Sequence, residues 1–126
     1  MRNTLAAALL IIGLAAHTAA AQTTNRSWTG DALRYTPSTV AGCSVKVMEA
    51  ATSNGFVVVT LRQSGTGTFS FSLAGELAGN GKRSIATVTT RLPAGLNVRL
   101  TMMRLYEGSL AGSVLTLHGS ACSVIG

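Results

Sequence analysis

The chain has 126 residues, ten lysines and arginines against four aspartates and glutamates, and few aromatics (5%). That length holds one domain with a modest core. The basic excess favours acidic partners, whereas the shortage of aromatics and the absence of any basic cluster larger than Lys82-Arg83 argue against nucleic acid.

Residues 1–21 read as an export signal. Met1-Arg2-Asn3 is a short positive start, Leu5 to Ala16 is an unbroken apolar run, and Ala19-Ala20-Ala21 offers small residues for cleavage before Gln22. The run is shorter than the roughly 20 residues that cross a bilayer. The expected mature protein is therefore exported, periplasmic or secreted, without an integral membrane segment. Val40-Ala41-Gly42-Cys43 looks like a lipoprotein acylation box, but Arg26, Asp31 and Arg34 separate it from the apolar run that such a box must follow.

Residues 22–42 form a polar arm, either an edge strand or a loose segment held by Trp28, and Pro37 argues against a long strand there. From residue 43 to 126 the chain reads as one β domain. Cys43, Val45 and Val47 alternate with polar neighbours, and Asn54-Gly55 is a hairpin turn signal because both residues tolerate positive φ. Val57, Val59 and Leu61 face a core in the next strand, with Thr60 and Arg62 opposite. Phe69, Phe71 and Leu73 give the cleanest half-buried strand. Ala74 to Leu77 is read as one turn of helix. Gly79-Asn80-Gly81 then turns into a Thr- and Val-rich strand from Ser84 to Leu92. Leu92-Pro93-Ala94-Gly95 turns again, Val98, Leu100 and Met102 alternate with Asn97, Arg99 and Thr101, and Glu107-Gly108 precedes a last strand at Val114 to His118. Roughly six to eight short strands with Gly-rich turns predict an all-β fold, a small antiparallel immunoglobulin-like β-sandwich.

Cys43 and Cys122 allow one intramolecular pairing, in a compartment where disulfides persist. Two free thiols or an intermolecular bridge are the alternatives. The spacing excludes a Cys-x-x-Cys redox pair or zinc site.

Catalytic groups are scarce. Asp31, Glu49, Glu76 and Glu107 fall in turns or the arm, which does not suit the facing pair that glycosidase chemistry needs. His118 has no nucleophile elbow to serve. Gly65-Thr66-Gly67 lacks the lysine and helix of a phosphate loop. Asn25-Arg26-Ser27 fits a glycosylation sequon. No catalytic residue, metal site or cofactor is expected.

The more informative constellation is a face. If Ser84–Leu92 and Gly95–Met103 pair as a hairpin, Thr87, Thr89 and Arg91 lie beside Asn97, Arg99 and Thr101, with Lys82 and Arg83 at one end. This predicts a cationic sheet surface without an acid, suited to secreted protein subunits or acidic macromolecules. Phe56 and Val58 point away from the core and are expected to be covered by the Trp28 arm; uncovered, they are an exposed apolar patch.

The segment from about Cys43 to Gly119 resembles the small periplasmic immunoglobulin-like proteins that assist curli biogenesis and inhibit premature curli assembly. The likeness rests on Gly55-Phe56-Val57-Val58-Val59, Ser64-Gly65 leading to Phe69-Ser70-Phe71-Ser72-Leu73, Gly79-Asn80-Gly81, and Leu92-Pro93-Ala94-Gly95 before Val98-Arg99-Leu100-Thr101. The chain lacks the Cys-x-Cys pair and the Gln/Gly-rich connection with an extra strand associated with that family. The resemblance implies an accessory or chaperone-like inhibitor of fibre assembly, and the chain is expected to be non-enzymatic and monomeric. Lys82, Arg83, Arg91 and Arg99 would supply its attraction for subunits. The alternative is a small β-barrel hydrolase inhibitor presenting Glu76–Arg83 as a stiff loop, or a ligand-binding module.

Overall fold

A computed structural model describes residues 26–105 and 112–126. The expected export signal, the Asn25 sequon position and the expected turn at Glu107-Gly108 lie outside the described residues. A short 3-10 turn (Gly30–Ala32) precedes seven strands: β1 (Leu33–Thr36), β2 (Val45–Ser53), β3 (Phe56–Gln63), β4 (Thr68–Gly79), β5 (Lys82–Pro93), β6 (Asn97–Arg104) and β7 (Val114–Val124). They form a four-stranded sheet, β1-β7-β4-β5, and a three-stranded sheet, β2-β3-β6. Every strand pair is antiparallel except β1–β7, which is parallel. The fold is the expected immunoglobulin-like β-sandwich with one disulfide, Cys43–Cys122.

Alternation explains the core. Val57, Val59 and Leu61 from β3, Phe71, Leu73 and Leu77 from β4, and Leu115 and Leu117 from β7 are fully buried, and with Trp28, Leu92 and Leu100 they form one cluster between the sheets. Two hairpins close on two-residue loops, Asn54-Gly55 (φ 50° and 83°) and Asn80-Gly81 (φ 53° and 74°). Left-handed geometry at both loop positions matches the strand twist, and Asn-Gly adopts it with little strain.

Ala74 to Leu77 makes no helical turn. β4 runs straight through it, and Leu77 takes its inward place in the same alternation as Leu73. The run Leu73-Ala74-Gly75-Glu76-Leu77 keeps period two once Gly75 is counted as inward-facing, where a side chain would press on Met102, Met103 and Leu117.

The arm belongs to the sandwich and serves both sheets. Ser27 bridges Ala51 on the β2 edge, Trp28 N–H donates to the Ala50 carbonyl (3.0 Å), and Thr52 N–H donates to the Arg26 carbonyl (2.8 Å). Trp28 enters the core, where its indole N–H donates to Ser113 Oγ at 3.2 Å. The chain then crosses to the other sheet as β1, which stops at Thr36 because Pro37 has no N–H to donate.

Three bulges reset the alternation. In β2 the register skips Met48, so Glu49 turns outward and Ala50 inward. In β6 it skips Met102, so Met102 and Met103 are both buried and Arg104 turns outward. In β7 it skips Ser120, which places Cys122 opposite Phe71, on the inner side from which it reaches Cys43.

Candidate binding surfaces

The expected hairpin of Ser84–Leu92 with Gly95–Met103 does not form. β5 pairs with β4, β6 pairs with β3, and the two lie in different sheets. Leu92-Pro93-Ala94-Gly95 is a corner between the sheets. Lys82, Arg83, Thr87, Thr89 and Arg91 therefore stand on the four-stranded sheet, and Arg99 and Thr101 on the three-stranded one. The single cationic face of the sequence reading is divided in two.

The outer face of the four-stranded sheet is mostly small and polar. Register sets Arg91 opposite Ser70, Thr89 opposite Ser72 and Thr87 opposite Ala74, with the Ser72 and Thr89 hydroxyls 2.7 Å apart. Exposed His118 lies on the same face, one strand across from Ala74. The face also holds an acid, contrary to expectation: Glu76 is ion-paired with Arg83. Glu76–Arg83 is not a stiff loop either. It is the tip of the β4–β5 hairpin, with only Asn80-Gly81 outside the ladder.

The outer face of the three-stranded sheet concentrates charge. Register aligns Lys46, Arg62 and Asn97 in one row, Glu49, Thr60 and Arg99 in the next, then Ala51, Val58 and Thr101, then Ser53, Phe56 and Arg104. Lys46, Arg62, Arg99 and Arg104 are all exposed there, with Glu49 as the carboxylate among the described residues. Among the described residues Glu49 forms no ion pair with these cations. Arg62 donates to Asn97 Oδ1 at 3.3 Å.

Trp28 does not cover Phe56 and Val58, because it is committed to the core on the far side of this sheet. The two remain half-exposed on the outer face. The Arg104 guanidinium lies over the Phe56 ring, 5.5 Å from its centroid, within range of a cation–π attraction. A shallow groove of about 290 Å³ runs beside them, lined by Ser53, Asn54, Phe56, Val58, Arg99 and Thr101.

Of this face, Arg99 and Thr101 are legible as site residues in the sequence; Lys46, Arg62 and Arg104 are not. Strict alternation puts Arg104 on the same side as Leu100 and Met102. The signal against it was the adjacent pair Met102-Met103, two apolar residues in succession where a bulge lets both face inward.

Cys43 and Cys122 join the two layers. Among the described residues no three histidines, cysteines or carboxylates gather to hold a metal, and no helix is long and apolar enough to cross a membrane. Comparison with known proteins finds no matching family model, no matching curated protein and no matching solved structure.

Proposed function

We propose that this chain is an exported, non-enzymatic binding protein whose working surface is the outer face of the three-stranded sheet. One observation carries the reading: among the described residues, four cations, an aromatic ring and a shallow polar-rimmed groove share that face with one carboxylate. Such a face attracts an acidic protein over several ångströms and speeds encounter. Phe56 and Val58 add apolar contact where charge alone gives little specificity. The export signal and the Cys43–Cys122 bond support a place outside the cytoplasm.

The partner class this reading favours is a secreted, fibre-forming subunit of curli type, held transiently so that premature assembly is delayed. The resemblance of residues 43–119 supplies that candidate, and the cationic face supplies a means. The test is a thioflavin assay of a purified curli-type subunit with the exported chain present at substoichiometric ratios. A prolonged lag that shortens again at high salt supports the proposal; an unchanged lag overturns it.

A further inference from the structure

The four sheet edges are not alike. β1 is four residues long and ends against Pro37. β2 carries a bulge at Met48, and the backbone of Arg26 to Trp28 covers its second half. β6 carries the bulge at Met102. Bulges, proline and short length are the usual ways a sheet blunts an edge against joining other strands. β5 has none of them. It runs for twelve residues in unbroken register with β4, with proline only at its last position, and among the described residues no strand lies beyond it.

The turn geometry shows which groups that edge offers. A two-residue hairpin loop at Asn80-Gly81 makes Gly79 and Lys82 a hydrogen-bonded pair. Alternation along an antiparallel ladder then directs the backbone groups of Ser84, Ala86, Val88 and Thr90 to β4, and those of Arg83, Ile85, Thr87, Thr89 and Arg91 to the open side. Those five residues also have exposed side chains, Ile85 at 64%.

The sequence of that edge is specific too. Ile85-Ala86-Thr87-Val88-Thr89-Thr90 is uncharged, rich in β-branched residues and free of glycine and proline, the composition of a segment that pairs readily into cross-strand assemblies. Lys82-Arg83 precedes it and Arg91 follows it, as charged gatekeepers around an unavoidable sticky strand.

We propose that the open edge of β5 is a strand-acceptor site, taking an extended, uncharged β-rich segment of a secreted partner that carries carboxylates at its ends. The partner adds as a fifth strand by backbone pairing along Ile85, Thr87 and Thr89, with an acid opposite Arg91. A second copy of the chain is the wrong occupant. Two β5 strands aligned antiparallel and centred on Thr87 place Arg83 opposite Arg91 at each end of the seam, a like-charge pair each time with one Glu76 carboxylate beside it. The sheet is also one-sided: it accepts at β5 and is blunted at β1. A fibre strand captured there is capped, not extended. This rests on the reading of the chain as a binder of fibre-forming subunits.

The probe is a synthetic peptide as long as β5, with a Thr/Val core and a glutamate at each end, alongside its lysine-ended twin. Amide exchange on the purified exported chain is the readout. In the free protein the Ile85, Thr87 and Thr89 amides exchange fast; the Glu-ended peptide slows them and the Lys-ended peptide does not. Thr87→Pro removes one outward N–H while leaving the β4 ladder intact, so it folds and loses the peptide. If it fails to fold, Thr89→Pro tests the same edge. The proposal is overturned if these amides are slow in the free protein, if the peptide protects the three-stranded sheet instead, if the proline variant binds as before, or if the amides slow with rising protein concentration alone, which makes a second copy the occupant. If Thr87→Pro loses the peptide but still delays a curli-type subunit, the edge is not the fibre contact and the broader binding reading stands. If the parent chain binds the peptide at β5 but never delays the subunit, the edge stands and that reading falls.

Discussion

Gln63 donates through Nε2 to the Leu92 carbonyl at 3.1 Å, and the same nitrogen reaches the Gly67 carbonyl at 2.8 Å. The side chain is fully buried at the end of β3. It fastens two crossovers to each other: the turn from β3 to β4 and the corner from β5 to β6. Backbone bonds reinforce it, from Ala94 N–H to the Gly67 carbonyl (3.0 Å) and from Gly95 N–H to the Gln63 carbonyl (3.2 Å). This cluster holds Leu92-Pro93-Ala94-Gly95 as a corner between sheets.

Gln63→Leu keeps the volume and removes the donor. Two inward carbonyls then lose one partner each, but the Gly67 carbonyl keeps Ala94 N–H, so the cost is nearer the net value of a hydrogen bond, roughly 0.5–1.5 kcal/mol each. Part of this is returned, because Gln63 Oε1 is buried without a partner and leaves with the side chain. Chemical denaturation is expected to show a lower midpoint with an unchanged slope.

The Cys43–Cys122 bridge closes a loop with a sequence separation of 79 residues and joins the edge of β2 to β7. In the chain-entropy model a loop of that size is worth roughly 4–5 kcal/mol, a large share of the stability of a domain this small. Cys43→Ser with Cys122→Ser is expected to melt far below the parent, and reduction of the parent is expected to bring it to the same transition. Parent and variant melting alike under oxidising conditions would refute it.

Strand identities were legible because period two is a local property. Phe69, Phe71 and Leu73 show it without any partner in view, and Asn54-Gly55 and Asn80-Gly81 show their turns through the φ they tolerate. Which strands pair is not local. Ser84–Leu92 and Gly95–Met103 are neighbours in sequence and both alternate well, yet the bonds that separate them come from Gln63, some thirty residues earlier. The bulges were hidden for a related reason. Skipping Ser120 makes sense only once Cys122 must face Cys43, and skipping Met102 only once both methionines have a core to enter. The charged face was half visible because Arg99 and Thr101 belong to it, while Lys46, Arg62 and Arg104 join only through the β2-β3-β6 pairing.

Tyr35 provides a pH-dependent tie between the layers. Its hydroxyl donates to the Val45 carbonyl at 2.9 Å, linking β1 of one sheet to β2 of the other. Burial raises the phenol pKa above the ordinary value of 10.0. The fold thus favours the neutral form, so this contribution is present in full below the unfolded value and is lost as pH rises through the raised folded value. A spectrophotometric titration of the Tyr106→Phe protein should show Tyr35 ionising later in the folded chain than in denaturant. Tyr35→Phe should cost about 1 kcal/mol near neutral pH and abolish that alkaline loss. Identical titration curves in the two states would count against it.

Arg99 lines the groove on the three-stranded sheet and Arg104 lies over Phe56, and both are exposed, so their contribution to a partner is mainly long-range attraction. Arg99→Gln combined with Arg104→Gln is expected to slow association with an acidic subunit and flatten its salt dependence, with a smaller change in dissociation. Phe56→Ala removes the apolar floor and the ring beneath Arg104, so it should speed dissociation and leave the salt slope in place. Arg34→Gln removes one charge, as Arg99→Gln alone does, from the outer face of the other sheet, beside Thr116. It is the control, expected to leave both rates near the parent values in surface-plasmon measurements. If Arg34→Gln slows association as much as Arg99→Gln alone, net charge rather than this face draws the partner.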